Sequence, residues 1–302
     1  MIEFLNTALQ AAVPIAFVAL GGVVAHRAGI LHLGLEGLLL IGAFTAVAVT
    51  VKTGSVTLGV LAAIGVNVAV SVVFWALIDV LKADVIIAGL GLSLTGLGLT
   101  AFLLEAIFDT RGGVRAPHGL AIPVDDNGGL LGLVADLSIL GWLLPLLVLA
   151  TWLVVRRSRV GLRLTAVGEY PFAARSAGVH VGATRCGALC VAGALCALGG
   201  ADLALASINQ FSENMSAGRG YLAFTAVLFG AEHPLGVAAA SLFFGLAEAL
   251  GIQSQLGLRH VLPIQFVLMV PYVLTIVAIT VSSAIRARRG SVIPGFAELR
   301  ES

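Results

Sequence analysis

The sequence predicts an all-α polytopic membrane protein, a single transmembrane domain over residues 1–302. Three observations predict it. Of the 302 residues, 59% are hydrophobic and 11% charged, where a soluble domain carries about 25% charged residues. The apolar residues recur in runs of about 20, the length of helix that crosses a bilayer's hydrocarbon core. The charges fall mostly between those runs. A net charge of +1 gives no reason to expect a nucleic-acid partner; the expected surroundings are a lipid bilayer.

Apolar runs bounded by charges and turn residues give nine expected spans. The first, about 4–25, contains Pro14 and follows an N-terminus with Glu3 and no basic residue, so no cleavable leader is evident. The second (33–51) opens on a glycine-rich stretch and closes at Lys52; the third (57–80) ends before Lys82, and the fourth (84–105) at Glu105. A polar, turn-rich loop, 106–137, precedes the fifth span (138–155), which stops at Arg156. The sixth (184–207) holds Cys186, Cys190 and Cys196, read as small packing residues. The seventh, 218–231, is short; the eighth is 235–252; the ninth, 261–284, precedes a basic tail over 285–302. No metal site or cofactor is expected.

Orientation follows from lysine and arginine, which favour the cytoplasmic side. With the segment 156–185 inside, twelve basic residues are cytoplasmic and five (Lys52, Arg111, Arg115, Arg219 and Arg259) are external. The N-terminus is therefore expected outside and the C-terminus in the cytoplasm. Spans one to four then begin outside and spans six to nine inside. Each set carries a glycine-rich element, GILHLGLEGLLLIGAF or GRGYLAFTAVLFGAEHPLG, after its first span. Two four-helix units of opposite sense are an inverted repeat of the kind found in transporters.

Arg156 to Arg185 reads RRSRVGLRLTAVGEYPFAARSAGVHVGATR, with six arginines. Within it Pro171 suits the first position of a helix and Gly178 the position past its end. A helix of two turns is too short to persist alone in water. Either it rests on the membrane surface or its own loop, or it docks in a partner's groove, with Phe172 as anchor and Arg175 as charge contact. Glu36 stands just inside a span, where a carboxylate is costly; it is either an interfacial or structural group, or a pathway residue. Asn67, Ser93, Asp202, Asn209, Glu248 and Gln265 are further polar groups at or within spans, each a helix–helix contact or a pathway group. No phosphate-loop or zinc-protease motif occurs, so the chain is not expected to be an enzyme or to hydrolyse ATP itself.

GLEGLLLIGAF, ADVIIAGLGLSLTGLGLT, GLRLTAVGEYPFAARSAGVHV, GRGYLAFTAVLFGAEHPLG and PYVLTIVAI, in that order from Gly29 to Ile279, resemble the membrane permease subunits of bacterial ATP-binding-cassette importers. The branch resembled takes up simple sugars and nucleosides; branched-chain amino-acid permeases are more distant relatives. Thr165, Tyr170 and Ser93 depart from the residues common there. The resemblance implies that 156–183 is a cytoplasmic segment contacting the ATPase through Arg163, Gly168, Glu169, Pro171, Ala174, Arg175 and Gly178. It also implies a second, non-identical permease subunit, a cytoplasmic ATPase, an extracellular or periplasmic substrate-binding protein, and a bacterial inner-membrane location. Glu36, Asn67, Ser93, Asp202 and Glu248 are its candidate pathway residues. The competing reading is a secondary transporter driven by an ion gradient.

Overall fold

The computed structural model describes residues 2–110, 112–120 and 137–257. They form ten α-helices: α1 (Ile2–Arg27), α2 (Leu35–Thr53), α3 (Val56–Trp75), α4 (Val85–Phe108), α5 (Ile139–Arg157), α6 (Arg159–Glu169), α7 (Pro171–Ser176), α8 (Val181–Asp202), α9 (Arg219–Phe229) and α10 (Pro234–Gly257). Two short strands, β1 (Gly113–Arg115) and β2 (Gln210–Ser212), complete them. Seven helices are long and apolar enough to cross a membrane: α1 to α5, α8 and α10. The π-helical turns Ala76–Val80 and Leu203–Ser207 lengthen α3 and α8.

One expected span is corrected. The stretch 218–231 yields only α9, 11 residues long, or about 16 Å at 1.5 Å per residue against a hydrocarbon core of about 30 Å. Glycines at both ends stop it: Gly218, with φ at 85°, caps its start, and Gly230 its end. The ninth span, 261–284, lies outside the described residues, as does Gln265.

The first compact unit of the chain ends at Leu246. At its centre stand α1, α2 and α8, whose side chains are buried almost all round; α3, α4 and α5 each bury a single stripe and leave the rest open. On α4 that stripe is Gly89, Ser93, Gly96, Thr100 and Leu104, the spacing of one helix face. Small residues bring backbones together where helices cross. A Cβ on Gly96 would stand 2.7 Å from the Cα of Gly37 on α2, and one on Gly21 of α1 would stand 2.9 Å from the carbonyl oxygen of Ala192 on α8.

The loop after α4 is tied to the loop after α8. β1 and β2 pair antiparallel, Val114 opposite Phe211, and the Leu120 amide donates to the Leu205 carbonyl. The end of α1 meets the basic segment on the other side: a Cβ on Gly168 would lie 2.4 Å from the Arg27 carbonyl oxygen and 2.9 Å from the Gly29 amide nitrogen. The bundle therefore has two ends of distinct composition, a hairpin end and a basic end.

Candidate functional site

Two helices, α2 and α9, begin inside the bundle rather than at its rim. After Arg27 the chain runs back inward through 28–34 before α2 starts. His32 is buried and stacks on Phe74 of α3, ring centroids 4.4 Å apart. The Leu33 carbonyl accepts from Ser93 Oγ at 3.0 Å, and Gly34 packs against Gly89 and Leu92 of α4. Since α4 starts at Val85, α2 starts about 6 to 10 Å along it. From the hairpin end, 213–218 leads to α9, which also starts at this depth.

Glu36 joins the two starts. Its Oε1 accepts from Ser216 Oγ at 2.6 Å and from the Gly218 amide at 2.9 Å; its Oε2 accepts from the Gly220 amide at 2.6 Å. Glu36 as a whole is 8% exposed. The first amides of a helix have no partner within it, and in a membrane interior there is no water to supply one. A carboxylate from another helix meets both needs and sits favourably at the positive end of the helix dipole. Arg219, counted among external basic residues, stands on the first position of α9. Its neighbour Gly220 touches Glu36, so Arg219 belongs to this junction and not to the loop; the sense of the charge asymmetry is unchanged.

The remaining expected polar residues stand apart from one another. Asn67, fully buried on α3, donates through Nδ2 to the Leu38 carbonyl at 2.9 Å and the Gly193 carbonyl at 3.3 Å, linking α2 and α8. Ser93 is held by Leu33, as above. Asp202, near the end of α8, accepts from Ser138 Oγ, and the same Oγ caps α5 by accepting from the Gly141 amide at 2.9 Å. Asn209, beside β2, has φ at 52°, and its carbonyl accepts from the Ala116 amide at 2.8 Å. Glu248 is half-buried on α10. The structure therefore brings Glu36, Asn67 and Ser93 to the α2 surroundings and leaves Asp202 at the far end of α8.

At the basic end, Ser158 stops α5 and caps α6, its Oγ accepting from Val160 and Gly161 amides at 3.1 Å each. α7 begins with Pro171 at its first turn and ends before Gly178, whose φ is 82°; this is the extent the sequence predicts. It needs no partner to be held. Ala174 is 4% exposed and packs with Val167 of α6 and Val181 of α8, and the Val179 amide donates to the Ala174 carbonyl at 3.0 Å. Arg163, Glu169 and Arg175 are exposed, Pro171 and Gly168 partly so, and Phe172 is 83% exposed.

Sequence reasoning missed several partners. Ser216, Gly218 and Gly220 are 180 or more residues from Glu36; the signal available was the shortness of the 218–231 run behind a Ser-x-Gly-x-Gly pattern. Ser138 was likewise missed. So were two polar contacts at the basic end: Arg185 Nη1 pairs with Asp79 Oδ1 at 3.0 Å, and Glu232 lies 3.3 Å from His26 Nδ1 and 4.0 Å from Arg27 Nε. Contact with that imidazole is the main reason the Glu232 carboxyl is held below its ordinary range.

A family described as the permease component of branched-chain amino acid transport systems matches residues 4–279. The chain is 33% identical over 252 residues to the guanosine ABC transporter permease protein NupQ of Bacillus subtilis, covering 80% of this chain and 79% of that one. It is 33% identical over 250 residues to the nucleoside ABC transporter permease protein NupC of Lactococcus lactis, covering 79% and 78%. Over 269 residues it is 29% identical to the glucose ABC transporter permease protein TsgB13 of Haloferax volcanii, covering 80% and 67%. No solved structure matches it.

Proposed function

The chain belongs to the family of permease components of branched-chain amino acid transport systems, and we propose that it forms half of the membrane path of an ATP-binding-cassette importer for a nucleoside or a simple sugar. The observation that carries this reading is the breadth of the likeness: about four-fifths of the chain aligns with about four-fifths of a guanosine permease and of a nucleoside permease. The family decides against an ion-gradient-driven transporter. In this reading the chain lies in a bacterial inner membrane with the basic end in the cytoplasm and the hairpin end outside. It works with a cytoplasmic ATPase, a substrate-binding protein outside, and a second, non-identical permease.

The coupling segment is 156–183. Gly168 and Ala174 seat it on the bundle, Pro171 and Gly178 set the limits of α7, and Glu169, Arg175 and Phe172 face the ATPase, with Arg163 on α6 at the foot of the same segment, beside α5. Because Gly168 packs on the end of α1 and Gly29, movement of α7 would be passed to the 28–34 connector and so to the starts of α2 and α9. Glu36, Asn67, Ser93 and Asp202 frame the path rather than line it, since each is spent on another element of the same bundle; Glu248 on α10, which also has an interaction partner, stays a pathway candidate by its place in the sequence. We further read the chain as an inverted repeat, α1–connector–α2 answering α8–loop–α9, with the ninth span completing nine helices. The support is that each half's second helix begins at mid-bundle, joined at Glu36.

The test is co-purification of the ATPase with the two permeases, beside uptake of labelled guanosine and glucose. Arg175→Glu and Phe172→Asp should reach the membrane, pair with the second permease and lose most ATPase. Normal ATPase association and uptake in both variants would sink the coupling assignment.

A further inference from the structure

Between α1, α5, α6 and α8, in the half of the bundle next to the basic end, lies a cavity of about 490 Å³. Its walls are apolar: Val24 of α1, Leu147 and Val155 of α5, Leu164 of α6, Gly187 and Leu195 of α8. Among its lining side chains only Thr151, Thr184 and Arg163 carry polar groups, and the Thr184 hydroxyl is spent on the His180 carbonyl at 2.9 Å. A cavity so lined does not hold water. Nor is it closed, because Val154 and Val191 on its sides are 43% and 48% exposed. From Leu147 to Val155 on α5, and from Gly187 to Leu195 on α8, it extends about 12 Å along the helices.

One end differs from the other. There α6 forms the edge of the cavity and brings Arg163, exposed, to its mouth. Arg156, Arg157 and Arg159, also exposed, crowd the adjoining corner between α5 and α6. Among the described residues, none of these four makes an ion pair. An occupant must therefore be long and apolar inside the bundle and negative at the mouth. Basic pockets between transmembrane helices on the cytoplasmic side suit anionic lipid headgroups.

We propose that this cavity is a binding site for an anionic phospholipid, one acyl chain lying between α5 and α8 and the phosphate paired with Arg163. The lipid would brace α6 from below, so that the coupling segment rests partly on a molecule of the bilayer. The placement of this mouth in the inner leaflet rests on the orientation proposed above; the occupancy itself does not.

Gly187 gives a clean handle, because a Cβ there meets nothing within 4 Å. Gly187→Leu fills the cavity, and Arg163→Gln removes the headgroup contact at the surface. The complex of both permeases and the ATPase would be reconstituted in vesicles of equal phosphatidylglycerol and phosphatidylcholine, re-extracted in mild detergent, and its retained lipids counted by mass spectrometry. The wild type should keep phosphatidylglycerol in preference to phosphatidylcholine, and each variant should keep several-fold less. Equal retention of the two lipids by the wild type, or unchanged phosphatidylglycerol in both variants, would overturn the proposal. ATPase co-purification is read on the same samples. Lipid loss with the ATPase still bound, or ATPase loss with the lipid still bound, separates this site from the coupling assignment.

Discussion

Glu36 and Gly220 are in contact along their backbones as well as through a hydrogen bond: a Cβ on Gly220 would stand 2.4 Å from the Glu36 Cα, and the Gly220 amide reaches Glu36 Oε2 at 2.6 Å. The side chain and the close approach are one device, because only a glycine brings that amide near enough to a helix start.

Glu36→Gln keeps the size but gives one acceptor where two are used, and turns an amide group toward the Gly220 N–H. The loss is expected at about 2 kcal/mol, the scale of a hydrogen bond to a charged group, with Glu36→Ala losing more. Unfolding temperatures in detergent should rank wild type, Gln, Ala. A Gln variant of wild-type stability that no longer transports would return Glu36 to the path itself.

Ser138→Ala removes two contacts at once, the cap of α5 and the partner of the buried Asp202. Loss of a cap costs about 1 kcal/mol and an orphaned buried group about 1–3 kcal/mol. Asp202→Asn in the same background should recover part of the loss, since a neutral amide is less costly to bury without a partner. Thermal unfolding of the single and double variants measures it; additive losses would count against the pair.

Glu232 is held below its ordinary pKa of 4.5, first by contact with His26. A depressed carboxylate pKa means that the unfolded chain takes up its proton first as pH falls. The stability this group contributes is therefore complete above about pH 4.5 and is lost as pH drops through the lowered value. Glu232→Gln should melt lower than the wild type at pH 7, and the gap should narrow below pH 4.5. A gap that stays constant across that range would mean the contacts of this carboxylate contribute nothing.

Gly178 ends α7 with φ at 82°, a conformation strongly disfavoured for β-branched residues. Gly178→Val should loosen α7 while leaving the spans inserted, raising proteolytic cleavage between 169 and 180. Gly187→Ala, at an open helical position, should not. Equal protease resistance in the wild type and the Val variant would show that the turn tolerates a side chain.

Orientation can be read by labelling. In a chain whose three cysteines are replaced by alanine, Phe172→Cys should react with an impermeant thiol reagent only from the cytoplasmic side, and Glu213→Cys, exposed at the hairpin end, only from outside. Labelling of both from one side would defeat the proposed topology.

The helices themselves were legible because a bilayer asks for one thing of each, about 20 apolar residues in a row, and because capping is local: Pro171 and Gly178 fix α7 from within a few residues. Composition thus determined the class, and the local pattern of charges, prolines and glycines determined most span limits and the extent of the two-turn helix. The tertiary structure decided which polar groups have partners. Glu36 in sequence is a costly charge with two open readings; only folding shows three donors waiting for it, two of them backbone amides that no residue type announces. The same holds for α9. Its apolar run is continuous with its neighbours in composition, and its half length follows from glycines that stop the helix at both ends and from a start satisfied 180 residues away. Local patterns specify helices because helical hydrogen bonds close within four residues. Where a helix starts in the interior of a bundle, its first amides must be answered by another part of the chain, and that choice is made only by packing.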